Sequence, residues 1–177
     1  MPSVSGSSSG REGKSGFNPN SDGVRRFSLQ SCAKTGDLAS KQEPVLILLA
    51  EDNPADAGLV RKALEEHGVE GELIVISDGE KAIQFIEGLE ASDECPDLAI
   101  IDLNLPKKPG RAVLASIRFN ARCGHVPVVV LSSSDAQQDR ADVLRFGATQ
   151  YVRKPSRLEE FLSLGAIFKA SITVPPA

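Results

Sequence analysis

The segment LAIIDLNLPKKP, Leu98 to Pro109, decides how the rest of the chain is organised. Four apolar residues run up to Asp102, and a proline-bounded loop follows at once. Such a run, stopping at a carboxylate, reads as a buried parallel strand that delivers Asp102 to the C-terminal edge of a sheet. Open α/β sheets hold their ligands at that edge.

The flanking sequence repeats the pattern. VLILLA (Val45 to Ala50) reads as a strand ending at Glu51-Asp52; Asn53 then caps a helix with Pro54 at its first position, Leu59, Val60, Ala63 and Leu64 inward and Gly68 as its stop. ELIVIS (Glu72 to Ser77) is the second strand, and Asp78-Gly79 open a helix with Ala82, Ile83, Phe85, Ile86 and Leu89 inward. Asp97 to Ile101 is the third strand, after which Pro109-Gly110 begin a helix lined by Val113, Leu114 and Ile117. VPVVVL (Val126 to Leu131) ends in Ser132-Ser133-Ser134; Asp135 caps the next helix, whose apolar residues are Ala136, Val143, Leu144 and Phe146 and whose stop is Gly147. A short strand, Gln150 to Arg153, runs into Lys154-Pro155, and a last helix covers about Arg157 to Ser171. This alternation predicts one α/β domain over residues 44–172, a doubly wound five-stranded parallel sheet with five helices, followed by a short tail, 173–177.

Residues 1–43 have a different texture. They are rich in Ser, Gly and Asn with no apolar period, the composition of a disordered tail. GREGKS (Gly10 to Ser15) looks like a phosphate-binding loop, but Ser8 stands where the pattern needs glycine and no strand precedes it. Arg25-Arg26-Phe27-Ser28 looks like a basic-directed phosphorylation site, a string short enough to arise by chance. The tail carries six Lys/Arg against four Asp/Glu and the remainder 14 against 20, so the folded part is acidic, which disfavours nucleic-acid binding. No apolar run approaches a membrane span and no secretory signal opens the chain, so the expected compartment is the cytoplasm. Cys32, Cys95 and Cys123 are odd in number and scattered, so they read as free thiols rather than a disulfide framework or zinc site. His67 and His125 have no metal partner in sequence.

Chemistry gathers at the strand ends: Glu51-Asp52 on the first, Asp102 on the third, Ser132 on the fourth and Lys154 on the fifth. In a parallel sheet these ends share one edge. Clustered carboxylates raise one another's pKa unless a cation sits between them, and all-oxygen ligands select Mg²⁺, with Mn²⁺ as substitute. A Mg²⁺ site with a lysine and a hydroxyl suits phosphoryl transfer, and a carboxylate there can be the nucleophile that forms an acyl phosphate.

AEDNPAD (Ala50 to Asp56), IIDLNLP (Ile100 to Pro106), VVVLSSS (Val128 to Ser134) and YVRKP (Tyr151 to Pro155), in that order, resemble the receiver domain of two-component response regulators, of flavodoxin-like (CheY-like) fold. Asp102 precedes Ser132 by 30 residues and Lys154 by 52, as in that family. The resemblance implies that Asp102 is the phosphoacceptor. Asp52 and Asp102 would bind Mg²⁺ directly, Glu51 through water, and Asn104 through its backbone carbonyl. Ser132 and Lys154 would contact the phosphoryl group, and Tyr151 would be an aromatic switch residue. The donor would be a histidine kinase docked beside the first helix. NPADAGLVRKALEE and DLNLPKKPG look most like the small stand-alone regulators paired with bacteriophytochrome kinases. One departure is Pro109-Gly110, where many receivers have Asp-Gly.

Too few residues follow the last helix for an effector domain, so output is expected through protein contacts. Leu158, Phe161, Leu162, Leu164, Ile167 and Phe168 cover a wide arc of that helix, and the excess, Leu164 and Ile167, reads as a homodimer or target face. Two other functions compete: a binding module that does not take up phosphate, and a Mg²⁺ phosphatase of the haloacid-dehalogenase type. The latter needs a second Asp where Asn104 stands.

Overall fold

A computed structural model describes residues 23–30, 44–134 and 137–173. In chain order the elements are β1 (Val24–Leu29), β2 (Val45–Ala50), α1 (Pro54–Glu66), β3 (Gly71–Ile76), α2 (Gly79–Glu87), β4 (Leu98–Asp102), α3 (Gly110–Phe119), β5 (Val128–Ser132), α4 (Gln137–Arg145), β6 (Gln150–Arg153) and α5 (Leu158–Thr173). They build one sheet of order β1-β3-β2-β4-β5-β6. The five expected strands are parallel to one another, in register Leu48↔Ile74, Leu48↔Ala99, Ile101↔Val130 and Val130↔Tyr151.

The sheet has six strands rather than five. β1 comes from the segment expected to be tail, and it pairs antiparallel with β3, Val24↔Ile76 through Leu29↔Gly71. Its apolar residues divide between the faces, with Val24 on one and Phe27 and Leu29 on the other, and Arg25 and Arg26 interrupt them. No amphipathic pattern therefore stood out, yet β1 satisfies the open edge of β3 and brings Arg26 to 2.8 Å from Glu72. The Arg25-Arg26-Phe27-Ser28 string lies within this strand, whereas GREGKS lies outside the described residues.

Alternation along the strands makes two cores. Leu48, Ala50, Ile74, Ile76, Ala99, Ile101, Val128 and Val130 face α2 and α3. Ile47, Leu49, Leu73, Val75, Leu98, Ile100, Val129 and Leu131 face α1 and α5. Full burial of each of the Val, Leu and Ile side chains among them is worth about 1.5–3 kcal/mol, so the central strands dominate stability. Asn53 caps α1 by accepting from Ala55 N at 3.0 Å, and Asp78 caps α2 by accepting from Lys81 N at 2.8 Å. Position 135 lies outside the described residues.

Three expectations change. Leu164 is buried against α1 and Ile167 is partly buried beside it, because Gly165 lets α5 approach so closely that a Cβ there would stand 2.1 Å from the Ala63 carbonyl. The apolar excess of α5 is consumed inside the molecule, and Leu158, 53% exposed, is the large hydrophobe this helix leaves out. On α4 only Val143 is buried; Leu144 and, just beyond it, Phe146 face solvent. Finally, Cys95 and Cys123 form a disulfide with Cα atoms 5.5 Å apart. They precede β4 and β5, and since these strands are adjacent and parallel, the loops that enter them are neighbours. Cys32 lies outside the described residues.

Candidate metal and phosphoryl site

The site grows from the reversal of strand order at β2, whose C-terminal end lies between those of β3 and β4. β2 ends at Ala50, so Glu51 and Asp52 fall in the crevice, and β4 brings Asp102 into it from the next strand. Oxygens of Glu51, Asp52 and Asp102 lie within 4.8 Å of one another. Glu51 and Asp102 are buried while Asp52 is exposed, so the cluster has a closed floor and an open mouth.

Lys154, just beyond β6, reaches across this floor. Its Nζ lies 2.6 Å from Asp102 Oδ2, 2.7 Å from Glu51 Oε2 and 2.9 Å from Asp56 Oδ2. Burial alone would lower the lysine's pKa, but hydrogen bonds to Asp102, Glu51 and Asp56 outweigh it and hold the ammonium above its ordinary value. For Glu51 burial is the leading cause and pushes its carboxyl up, assisted by the charge of Asp102; Lys154 and the N–H of Asn53, donating at 3.1 Å, pull the other way. The second Asp102 oxygen accepts from Asn104 N at 2.9 Å. Asp102 is thus gripped at both oxygens.

Ser132 closes β5 fully buried, its Oγ accepting from Ser134 N at 3.2 Å. Tyr151, half-buried on β6, donates its hydroxyl to the Ser134 carbonyl at 2.6 Å, so the loop leaving β5 is tied to the neighbouring strand. Every residue expected at the site therefore lies at or beside the C-terminal edge of one sheet. Asp56 was not singled out from the sequence, although it stands inside AEDNPAD. Its position in the first turn of α1 turns its carboxylate back to Lys154.

Pro109 stands at the N-cap of α3 without a side-chain cap, and Gly110 packs so closely behind Asp102 that a Cβ would stand 2.0 Å from the Asp102 carbonyl oxygen. Gly110 N in turn donates to the Leu103 carbonyl at 3.0 Å. The donor set, carboxylates only, fits a hard divalent cation such as Mg²⁺ or Mn²⁺.

A family model described as the response regulator receiver domain matches residues 47–164. The response regulator Rcp1 of Synechocystis is 34% identical over 140 residues, which cover 76% of this chain and 95% of that protein. Among solved structures, the phosphorylated cyanobacterial phytochrome response regulator RcpA superposes with a TM-score of 0.69 at 32% identity, over 76% of this chain and all of that one. The Mn²⁺-bound form of Rcp1 gives 0.67 at 34% identity, with the same coverage of both chains. The bacteriophytochrome response regulator RtBRR gives 0.61 at 31%, covering 76% and 81%. Receiver domains act as phosphoacceptors for histidine kinases. With the match running from within β2 into the first half of α5 and the acidic cluster at its expected edge, this chain belongs to the response regulator receiver domain family.

Proposed function

We propose that Asp102 accepts a phosphoryl group from a phosphohistidine kinase and that the resulting change in the surface around α4 and β6 is the signal. The observation that carries this is the double grip on Asp102, which fixes its carboxylate beside Glu51 and Asp52. A divalent ion bound by Asp52, Asp102 and the Asn104 carbonyl, with Glu51 acting through water, would neutralise charge on the transferring group. Asp102 attacks phosphorus as the nucleophile, the P–N bond to the kinase histidine breaks, and an acyl phosphate forms on its carboxylate. Lys154 then exchanges a carboxylate partner for a phosphoryl oxygen. Ser132 follows the same group, and movement of its loop pulls on Tyr151 through the Ser134 carbonyl.

The likeness to RcpA and RtBRR supports a kinase of the phytochrome type as the partner, acting in the cytoplasm. Among the described residues no helix is long and apolar enough to cross a membrane. The test is intact mass after incubation with acetyl phosphate, with and without Mg²⁺, on this protein and on Asp102→Asn. One added phosphate that needs Mg²⁺, is lost at alkaline pH and does not appear in the variant is the expected result. No addition to a folded sample would leave a binding module in place of a switch.

A further inference from the structure

Strand β1 lies outside the residues matched by the family model, and it does more than close a sheet edge. Together with α1 it walls a cavity of about 330 Å³ next to the acidic site, within the size range of small-molecule pockets. Arg25 and Phe27 of β1 line one side, Gly58 and Arg61 of α1 the other, Val75 of β3 contributes apolar surface, and Glu51 and Asp52 stand at the end towards the site. The Arg61 guanidinium lies 5.3 Å from the centre of the Phe27 ring. Arg25 has no ion-pair partner among the described residues, and Arg61 has only a loose one, 3.9 Å from Glu65. A Cβ added at Gly58 would meet nothing within 4 Å, so the missing side chain leaves the space open.

We propose that this cavity binds a small organic anion: a compact, one-ring or branched apolar body carrying a phosphate or carboxylate head. The body lies against Phe27 and Val75, and the head is held by Arg25 and Arg61, whose planar forks match both oxyanions. Glu51 and Asp52 disfavour the head at the other end, which fixes the orientation. The site does not depend on phosphorylation of Asp102.

The experiment is an amide NMR titration of the full chain with phenyl phosphate in EDTA, so that no divalent ion draws the phosphate to Asp52. Benzoate supplies the second head group and benzyl alcohol the uncharged control. The expected result is saturable shifts centred on Gly23, Phe27 and Gly58 with both anions, at an affinity in the millimolar range or better, and none with the alcohol. Gly58→Leu fills the cavity from a helix position with room for the side chain and should weaken binding at least tenfold. Arg25→Gln, on the opposite wall, should weaken it severalfold. Shifts centred on Ser132 and Lys154, equal binding of the alcohol, unchanged affinity in a folded Gly58→Leu or Arg25→Gln variant, or no saturable shift would each overturn the proposal. Retained phosphate uptake by Gly58→Leu separates loss of this site from failure of the phosphoacceptor reading.

Discussion

Lys154 Nζ and Asp102 Oδ2 stand 2.6 Å apart although 52 residues separate them in the chain, and the same ammonium also holds Glu51 and Asp56. One cation thus balances three carboxylates, two of them buried. Lys154→Met would strand Glu51 and Asp102 as unpaired charges, a change of the kind that costs about 3–5 kcal/mol. Mg²⁺ should restore part of the loss, since an ion that binds only the folded state stabilises it by mass action. Urea unfolding with and without Mg²⁺ measures both effects. A variant as stable as the parent in EDTA would mean that the lysine is dispensable to the resting site.

Gly110 is the second lever on Asp102. Gly110→Ala places a methyl group against the Asp102 carbonyl oxygen, so either α3 or the end of β4 must shift. Overpacking of this kind costs roughly 1–3 kcal/mol, and phosphate uptake from acetyl phosphate should slow with it because the nucleophile moves. Stopped-flow or mass-resolved rates identical to the parent would show that the shift is absorbed by α3 alone.

Asp78 gives a pH signature. Burial works against its ionised form, but the Lys81 N–H and the Lys107 ammonium, donating at 2.8 and 3.0 Å, prevail and hold its carboxyl below the ordinary aspartate value. A depressed folded pKa adds stability that is complete above the unfolded value, near 3.9, and is lost as pH falls through the folded one. The stability difference between the parent and Asp78→Asn should therefore shrink as the solution is acidified below that value. Asp78→Ala should lose about 1 kcal/mol more than Asp78→Asn, because asparagine keeps the helix cap. Denaturation midpoints across a pH series check both points.

The Cys95–Cys123 bond closes a 28-residue separation, for which chain entropy implies roughly 3–4 kcal/mol of stabilisation. Reductant should lower the unfolding midpoint accordingly. It should leave Mg²⁺-dependent phosphate uptake by the folded protein intact, because the bond lies at the sheet edge opposite Asp102. A reducing compartment would hold the same pair as thiols, and thiol labelling of freshly lysed cells distinguishes the two forms.

What could be read from the sequence follows a physical division. Runs such as LAIID and VVVLS are buried on both faces, so composition alone marks them as central strands, and a central strand that ends in Asp or Ser places that residue in the crevice. β1 could not be read this way. An edge strand is held by main-chain pairing and a few split contacts, and VRRFSL carries too little apolar patterning to announce it. The disulfide was hidden for a related reason: each cysteine looks isolated until the adjacency of β4 and β5 makes the loops before them neighbours. Their matching positions ahead of two strands were the available signal. Asp56 was hidden by its helix. Its relevance depends on where Lys154 reaches, which strand-end reasoning does not specify.

The antiparallel run of β1 also fixes where attached chain emerges. Gly23, whose carbonyl accepts from Ser77 N at 3.0 Å, stands at the sheet edge that holds Asp52 and Asp102. α5 returns to the other edge, where Lys169 donates to the His67 carbonyl at the end of α1. A reporter or tether joined ahead of Gly23 is therefore delivered beside the chemistry and would read or obstruct it, whereas one joined beyond Thr173 starts a full domain height away and leaves the crevice clear.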